Sequence, residues 1–283
     1  MYNAICLISC PDRKGLVAKI TDFISSNNGN IEHLDQHIDP QSKTFFMRVE
    51  WAMDDFNISR NDLDKSFSCI ASELGMNYKI YFTDGKPRIA IFVSKLSHCL
   101  YDILLRVKSG EYNCDVPLIV SDHTECQSIA ESFDIPFYHL PKNSSNISNV
   151  EEQELDLLRQ YDIDFLVLAR YMKIFSDRFV NEFENRMINI HHSFLPAFAG
   201  KSPYSQAHAR GVKIIGATSH YVTEQLDSGP IIEQDIVRIN HSDDVETLRC
   251  KGRDLERIVL SRAVRLHLAK KVLVYGNKTV VFD

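Results

Sequence analysis

The sequence contains no long apolar run and no strong excess of charge of either sign. No segment approaches 18 consecutive apolar residues without a charge, so no membrane-spanning helix is predicted. The first residues lack a basic stretch followed by an apolar core, and Asp12, Arg13 and Lys14 interrupt them early, which predicts no secretory signal. A formal net charge of -6 without any run of lysine and arginine argues against a nucleic acid partner.

Cysteine and histidine patterns typical of disulfide frameworks and metal sites are also missing. The seven cysteines are odd in number and scattered, with no C-x-x-C pair, which predicts reduced thiols in a cytoplasmic protein. There is no H-E-x-x-H helix, and the adjacent His191 and His192 would face opposite ways on an extended segment. A metal site is therefore not predicted, and His192 is expected to be structural.

Glycine is absent from the one turn where a nucleotide site would need it. The turn after the first strand of the second half, Ser94-Lys95-Leu96-Ser97-His98, contains none, whereas a dinucleotide or phosphate site there requires a glycine-rich turn that opens a helix. A nicotinamide cofactor is therefore disfavoured. What the chain does have is 283 residues with 44% hydrophobic content, enough for two domains with buried cores.

Residues 1–84 follow the order strand, helix, strand, strand, helix, strand. An apolar run from Ala4 to Ser9 precedes a polar loop, and a helix follows in which apolar residues recur every three to four positions. Asp39-Pro40-Gln41-Ser42 is a turn signal between two further strands, which predicts an antiparallel pair. Ser59 is a candidate cap for a second helix. The pattern predicts an α/β domain of βαββαβ (ferredoxin-like) type.

The loop Pro11-Asp12-Arg13-Lys14-Gly15-Leu16 within such a unit resembles the ACT domain family, regulatory modules that often bind amino acids. The resemblance implies that Asp12, Gly15 and Leu16 border a regulatory site, with glycine or methionine as candidate effectors. It also implies edge-to-edge pairing of sheets and hence a homo-oligomer, a dimer or a tetramer. The alternative is that Gly15 serves only helix entry and that the domain only dimerises.

Asp84-Gly85-Lys86-Pro87 interrupts this pattern and predicts a boundary, with residues 85–88 as a linker and 89–283 as a second domain. The second block alternates apolar, strand-like runs (89–93, 117–121, 136–140, 165–169 and 187–190) with helical stretches. This alternation predicts a doubly wound, Rossmann-like parallel sheet with helices on both faces and ligands beyond the carboxyl ends of the strands. A long helix over 243–268 and a closing β-hairpin over 272–282 are also expected.

An amide, an imidazole and a carboxylate occur on segments that alternate between strand and loop. Asn189 ends an apolar run, where an unpaired amide would be costly, and its N–H can point at a substrate oxygen. His191 faces the same side of an extended strand, so both side chains can converge on one atom. Asp227, in the turn L-D-S-G-P, can orient His191 and accept a proton from water. Together these groups suggest acyl-group chemistry.

Each of these residues also has a structural interpretation. Asn189 could tie the strand end to the next loop, His191 could pack within that loop, and Asp227 could form an Asx-turn between two strands. His220, in a β-rich segment, is either a satisfied core histidine or a side chain that orients the other groups.

Three stretches taken together are more specific than any single residue. They are D-F-L-V-L-A-R-Y-M-K-I from Asp164, I-N-I-H-H-S-F-L-P from Ile188, and G-A-T-S-H-Y-V-T-E-Q-L-D-S-G-P from Gly216. With these motifs the chain resembles the folate-dependent formyltransferase family. With the ACT-like domain in front, it resembles the hydrolytic branch of that family over nearly all 283 residues.

The resemblance implies a hydrolase that splits 10-formyltetrahydrofolate into formate and tetrahydrofolate, without a further cofactor, and that supplies formate for purine synthesis and balances one-carbon folate pools. Asn189 and His191 would hold the formyl oxygen, while Asp227 positions or deprotonates the attacking water. The pterin would be gripped largely by the main chain of two loops, matching Met172, Lys173, Phe175, Val222, Thr223 and Glu224.

The same resemblance bears on the acceptor. Relatives that transfer the formyl group to an amine carrying a phosphate hold that phosphate on a glycine-containing loop, and the absence of glycine from 94–98 favours water. A formyltransferase acting on an unidentified amine is the alternative, and an amino-acid sensor that retains a folate pocket without turnover is a third possibility. Lys201-Ser202 and Asp122 depart from the family pattern, at the mouth of the folate site and in a local hydrogen bond.

Overall fold

The computed structural model describes residues 2–196 and 203–282, except for the side chain of Pro203. The chain divides into two compact units: Met1–Lys86 with Lys270–Leu273 and Val280–Asp283, and Pro87–Ala269 with Val274–Thr279. The sequence-based division assigns all of 89–283 to the second domain, whereas the contacts give both ends of the closing hairpin to the first unit. Within the described ranges, no helix combines the length and the apolar character needed to cross a bilayer.

The first unit is a four-stranded antiparallel sheet with two helices, in the βαββαβ order that the sequence predicts. Its elements are β1 (Asn3–Pro11), α1 (Leu16–Ser26), β2 (Ile31–Asp39), β3 (Thr44–Ala52), α2 (Arg60–Leu74) and β4 (Asn77–Phe82). The spatial strand order is β2-β3-β1-β4, so β2 and β4 are the edges.

Hydrophobic periodicity explains how these elements pack. Leu16, Ile20 and Ile24 recur every four residues on α1, so they lie on one face and are buried in the core of the unit together with the apolar face of the sheet. Ser59 occupies the N-cap position of α2, but its hydroxyl donates to the Asp62 carboxylate (2.6 Å) and makes no cap hydrogen bond to the helix backbone.

The second unit is built on a seven-stranded sheet. Its strands are β5 (Arg88–Val93), β6 (Asp115–Ser121), β7 (Phe137–His139), β8 (Phe165–Ala169), β9 (Met187–His191), β10 (Ile214–Tyr221) and β11 (Ile231–Arg238). Its helices are α3 (His98–Lys108), α4 (Gln127–Ser132), α5 (Ile147–Gln160), α6 (Asp177–Glu182), α7 (Pro203–Arg210) and α8 (Val245–Leu268). A hairpin of β12 (Val272–Tyr275) and β13 (Lys278–Val281) follows.

The sheet order is β11-β10-β9-β8-β5-β6-β7, and the sheet is mixed. Strands β5 to β9 are parallel, as the alternating pattern predicts, whereas β10 pairs antiparallel with both β9 and β11. The five runs of the alternating pattern are thus parallel as predicted, and β10 and β11, which that pattern does not include, extend the sheet through antiparallel pairs. The connection from β10 to β11 spans only residues 222–230, too short for the crossover that a parallel pair requires.

The strand order reverses between β5 and β8, which places the switch point of the sheet at their carboxyl ends. Helix α8 packs against β9, β10, β11 and α3, and an apolar cluster that includes Phe92, Leu166 and Phe179 fills the other side. The loops after β5, β8 and β9 all leave the sheet at the end where doubly wound folds bind ligands.

Candidate active site

Three neighbouring segments bring together the four polar residues that the motifs single out. Asn189 and His191 lie on β9, His220 lies on β10, and Asp227 lies on the connection between β10 and β11. Antiparallel pairing places His220 opposite Asn189. The Asn189 Nδ2 to His220 Nε2 distance is 3.3 Å, and the His191 Nδ1 to Asp227 Oδ1 distance is also 3.3 Å. His220 Nε2 lies 3.8 Å from the same carboxylate oxygen.

The hydrogen bonds of His220 determine which of its ring nitrogens carries a proton. Its Nδ1 lies 2.9 Å from the carbonyl oxygen of Tyr221, and because a carbonyl only accepts, Nδ1 must be the donor. Burial lowers the pKa of His220, which favours the neutral ring, so Nε2 accepts an N–H of Asn189. This bond fixes the amide and leaves its second N–H for a ligand.

Asp227 is held by a tight turn. Its backbone has φ +52, a left-handed conformation uncommon for a residue with a side chain. Two residues on, a Cβ added to Gly229 would lie 1.8 Å from the Tyr221 carbonyl oxygen, so only glycine fits against the end of β10. The Leu226-Asp227-Ser228-Gly229-Pro230 motif therefore places the carboxylate by close backbone contact as well as by turn propensity.

The turn that follows His191 is tied to the neighbouring strands. Thr218 Oγ1 on β10 donates to the Ser193 carbonyl (2.9 Å) and accepts from the Leu195 backbone N–H (3.1 Å). Gln234 Nε2 on β11 donates to the Leu195 carbonyl (3.1 Å) and to Thr218 Oγ1 (2.9 Å). These bonds hold the chain rigidly just after His191.

The electrostatics of the site suit proton handling. The hydrogen bond from His191 lowers the pKa of Asp227 despite its partial burial. Burial and the nearby Arg170 guanidinium lower the pKa of His192 to about 4, so that ring is neutral at pH 7. With His191 Nδ1 donating to Asp227, Nε2 is the remaining ring nitrogen, and it is buried without a hydrogen-bond partner among the described residues.

A second charged cluster lies at the switch point of the sheet. Glu256 on α8 is 1% exposed and accepts hydrogen bonds from Tyr204 Oη (2.6 Å) and His98 Nε2 (2.7 Å). Arg170, which follows β8 with φ +63, places Nε 3.4 Å from Glu256 Oε2. The hydrogen bond from His98 and the Arg170 charge hold the pKa of Glu256 below its usual range despite burial, which alone would raise it. A Cβ at Gly252 would lie 2.1 Å from Tyr204 Oη, so glycine here makes room for the tyrosine.

These cluster residues are not among those that the sequence motifs single out as functional. Glu256 shares one helix stripe with the buried Leu248, Gly252 and Val259, so a carboxylate within that apolar period is the signal that could have found it. His98, Cys99 and Glu256 have ligand atoms within 4.8 Å of one another, but Arg170 beside Glu256 opposes a cation there.

The first predicted folate loop joins β8 to α6. Its Met172 side chain is 60% exposed, and its backbone N–H donates to Ser94 Oγ (3.0 Å). Lys173 Nζ lies 3.3 Å from Asp122 Oδ2, and Asp122 also accepts from Ser94 Oγ (2.6 Å). Phe175 is buried, so its ring packs in the protein. Asp122 thus ties this loop to the loop after β5.

The second predicted folate loop follows β10. The Val222 backbone N–H donates to the Met187 carbonyl (2.9 Å), Thr223 Oγ1 donates to the Gln225 carbonyl (3.1 Å), and Glu224 accepts from Asn181 Nδ2 (2.9 Å). Glu224 is exposed at the surface. Lys201 and Ser202, where the sequence departs from the family pattern, lie outside the described residues.

The predicted regulatory residues Asp12, Gly15 and Leu16 border one open pocket of about 620 Å³ in the first unit. Gln36, Ile38 and Phe45 complete its walls, among others. Gly15 has φ +88 at the N-cap of α1, a conformation that favours glycine, so helix entry by itself accounts for this residue.

Known protein families match both units of the chain. A formyl transferase family model matches residues 87–264, and an ACT domain model matches residues 4–53. The curated formyltetrahydrofolate deformylase of Synechocystis sp. is 56% identical over 280 residues, which cover 99% of this chain and 98% of the relative.

Solved structures give the same result. The crystal structure of a formyltetrahydrofolate deformylase from Pseudomonas syringae pv. tomato superposes with a TM-score of 0.97 at 44% identity, covering 100% of this chain and 95% of that chain. The crystal structure of glycinamide ribonucleotide transformylase 1 from Symbiobacterium toebii covers 72% of this chain and 97% of its own, with a TM-score of 0.67 at 29% identity. Because the deformylases match over almost their whole length, and the motifs around Asn189, His191 and Asp227 predict this relationship, the chain belongs to the formyltetrahydrofolate deformylase family.

Proposed function

We propose that the protein is an enzyme that hydrolyses 10-formyltetrahydrofolate to formate and tetrahydrofolate. The observation that carries the proposal is the convergence of four polar side chains through contacts of 3.3–3.8 Å, in a chain that matches deformylases from end to end; they are Asn189, His191, His220 and Asp227. The groups have complementary tasks, since two can hold the formyl oxygen and one can handle the proton of a water.

The reaction proceeds by attack of water on the formyl carbon. As the new C–O bond forms, the water proton passes to Asp227, and the oxyanion is stabilised by the free N–H of Asn189 and by the His191 ring. Breaking the C–N10 bond then releases formic acid while the proton moves from Asp227 to N10, and formic acid gives up the second water proton to solvent to become formate. The lowered pKa of Asp227 favours this second transfer and opposes the first, because it makes the carboxylate a weaker base and its protonated form a stronger acid.

Water is the acceptor that this site supports best. The turn after β5 contains no glycine that would let backbone amides surround a phosphate, and the full-length relatives carry the deformylase name. Transfer to an unidentified amine is the weaker candidate. It is favoured only by the likeness to a glycinamide ribonucleotide transformylase, which covers 72% of this chain.

The decisive experiment is incubation of the purified protein with 10-formyltetrahydrofolate in the absence of any amine. Equal release of tetrahydrofolate and formate is expected. Turnover that begins only when an amine is supplied would assign the protein to the transferases, and binding without any turnover would support the sensor alternative.

We propose further that the folate lies against the loops that contain Met172, Lys173 and Phe175 and Val222, Thr223 and Glu224. The exposed side chain of Met172 offers apolar surface to a flat pterin, and the family resemblance assigns most of the polar contacts to the main chain of these loops. No additional cofactor has a role in this reaction. The proposed setting is the cytoplasm, where released formate would feed purine synthesis and the one-carbon folate pools would be balanced.

We also propose that the pocket beside Asp12, Gly15 and Leu16 binds an amino-acid effector, glycine or methionine, and that the protein is a homo-oligomer, a dimer or a tetramer. Strand β2 supports the second proposal, because it is a sheet edge with exposed Leu34 and Ile38. Titration of hydrolysis with each amino acid tests the effector, and a monomeric mass in solution would contradict the assembly.

A further inference from the structure

A lysine is buried in the second unit, near the first folate loop. The Lys142 side chain is 2% exposed, and its Nζ lies 2.8 Å from Glu154 Oε2 and 3.6 Å from Glu151 Oε1. Both glutamates lie on α5 and are buried as well, with side-chain exposures of 6% for Glu151 and 0% for Glu154. Buried ions of this kind are rare unless they are paired, because each loses its hydration.

The two glutamates bind opposite ends of the loop between β8 and α6. Glu154 Oε1 accepts a hydrogen bond from Tyr171 Oη (3.1 Å), at the start of the loop. Glu151 accepts from the backbone N–H of Ser176 (3.0 Å) and from its hydroxyl (2.5 Å), at the end of the loop. Lys142 therefore lies between two carboxylates that hold residues five positions apart.

The ammonium group also contacts the aromatic residues of the loop. Lys142 Nζ lies 4.3 Å from the centroid of the Phe175 ring, a distance typical of a cation–π interaction. The Phe175 ring stacks on Tyr171 (5.4 Å between centroids) and on Phe179 (4.1 Å). One buried cation thus interacts with both acids and with the aromatic stack.

The loop has a buried side and an exposed side. Tyr171 and Phe175 are 5% and 8% exposed, whereas Met172 and Ile174 are 60% and 65% exposed. The buried residues are those that the Lys142 cluster holds, and the exposed residues present apolar surface to solvent. The buried side of this loop is therefore held in place by the protein, and its exposed side is free to contact a flat ligand surface.

Removing the cation would release the loop. Without Lys142 the two carboxylates would face each other in a region of low dielectric, where like charges repel and an unpaired charge is costly. The carboxylates can avoid this cost by taking up protons or by moving toward water, and either change loosens their bonds to Tyr171 and Ser176.

We infer that Lys142 is a positioning residue, which holds Glu151 and Glu154 so that the loop of residues 171–176 presents its exposed side to the folate. The inference rests on the proposed function, because that proposal makes this loop a folate-binding loop. Lys142 itself touches no reacting atom, so its replacement should weaken binding of substrate and transition state alike and raise KM more than it lowers kcat.

The test compares Lys142→Met, which keeps the apolar length and removes the charge, with Lys251→Met, which removes the lysine of the partly exposed pair with Asp243 (2.7 Å). Affinity for tetrahydrofolate is measured by calorimetry, because binding of the product does not require turnover. Lys142→Met should weaken binding about tenfold or more, a factor that corresponds to the loss of one charge-assisted contact. It should also speed hydrogen exchange in residues 170–176, while Lys251→Met stays within about twofold of wild type.

A folded Lys142→Met variant that binds tetrahydrofolate as wild type does, with unchanged exchange in the loop, would overturn the inference. Should this variant fail to fold, Tyr171→Phe decides, since it deletes only the hydroxyl bonded to Glu154; it should weaken binding about threefold, and wild-type affinity would refute the role. A wild-type protein that binds tetrahydrofolate without hydrolysing the formyl form would contradict the proposed function alone. Absence of folate binding by the wild type would contradict both.

Discussion

Replacing Gly229 by alanine should damage catalysis through the position of Asp227. The added Cβ would lie 1.8 Å from the Tyr221 carbonyl oxygen, whereas real Cβ atoms essentially never come closer than 3.0 Å to such an atom. Either Tyr221 or the turn that contains Gly229 must therefore move by at least about 1.2 Å. Tyr221 is held at the end of β10 by pairing with Ile188 of β9 and by its N–H bond to the Pro230 carbonyl. The turn that contains Asp227 is therefore the part that shifts.

A displacement of about 1 Å at a catalytic group costs on the order of 100-fold in rate, or about 2.7 kcal/mol in activation free energy. We expect Gly229→Ala to lower kcat for hydrolysis by about this factor. Steady-state kinetics with 10-formyltetrahydrofolate measure the effect, and circular dichroism confirms folding. Gly85→Ala is the matched control, because no atom lies within 4 Å of the added Cβ and its φ is not positive. A folded Gly229→Ala enzyme with wild-type kcat would refute the reasoning.

Three further outcomes are expected. Asp227→Asn should lower kcat by about 10²–10⁴-fold, the usual effect of losing an acid–base group, and calorimetry should still detect tetrahydrofolate binding. Because the pKa of Asp227 is lowered in the folded state, its carboxylate stabilises the fold above the unfolded-state pKa, and this stabilisation is lost as the pH falls. The difference in unfolding free energy between wild type and Asp227→Asn, measured by denaturant titration, should therefore shrink below about pH 4. Gly252→Ala, normally favourable in a helix by about 1 kcal/mol, should instead destabilise the protein by about 1–3 kcal/mol, because Tyr204 Oη would be displaced from Glu256; an increase in melting temperature would contradict this.

The sequence predicts those features that depend on local pattern. The period of Leu16, Ile20 and Ile24 defines a helix, and the N-I-H and L-D-S-G-P motifs point to Asn189, His191 and Asp227 because polar groups follow apolar strands there. These residues come together because their strands pair. The sequence does not show that pairing directly, although the turn composition of L-D-S-G-P favours it.

Features that depend on distant residues could not be predicted in the same way. Lys142 follows a proline in a polar stretch, where a lysine normally faces solvent, and its burial depends on Glu151, Glu154 and an aromatic stack formed by another segment. Arg170 and Glu256 are separated by more than eighty residues of sequence yet face each other at 3.4 Å. Side-chain charge alone does not indicate such partners, because pairing is decided by tertiary packing.

The antiparallel direction of β10 and β11 has a similar origin. Alternating strands and helices indicate a parallel sheet through the first five strands of the second unit, and β10 is the strand that runs against them, because it pairs antiparallel with both β9 and β11. The short connection through residues 222–230 excludes a crossover between β10 and β11, and that connection is also the segment that carries Asp227. The reversal of strand direction and the placement of the carboxylate are thus one structural feature.

The first unit cannot be completed until the hairpin of β12 and β13 has been synthesised, because both ends of that hairpin belong to it. The backbone carbonyl of Lys270 accepts a hydrogen bond from Arg48 Nε (3.1 Å), and its ammonium lies 4.9 Å from the Tyr81 ring, so the first unit includes residues that the ribosome adds long after residue 86. While the intervening residues are being translated, Arg48 can pair with Glu50 (2.7 Å) but the Lys270 carbonyl is not yet available to it. A fragment that stops at residue 86 reproduces this unfinished state, and adding residues 270–282 in trans would be expected to complete it.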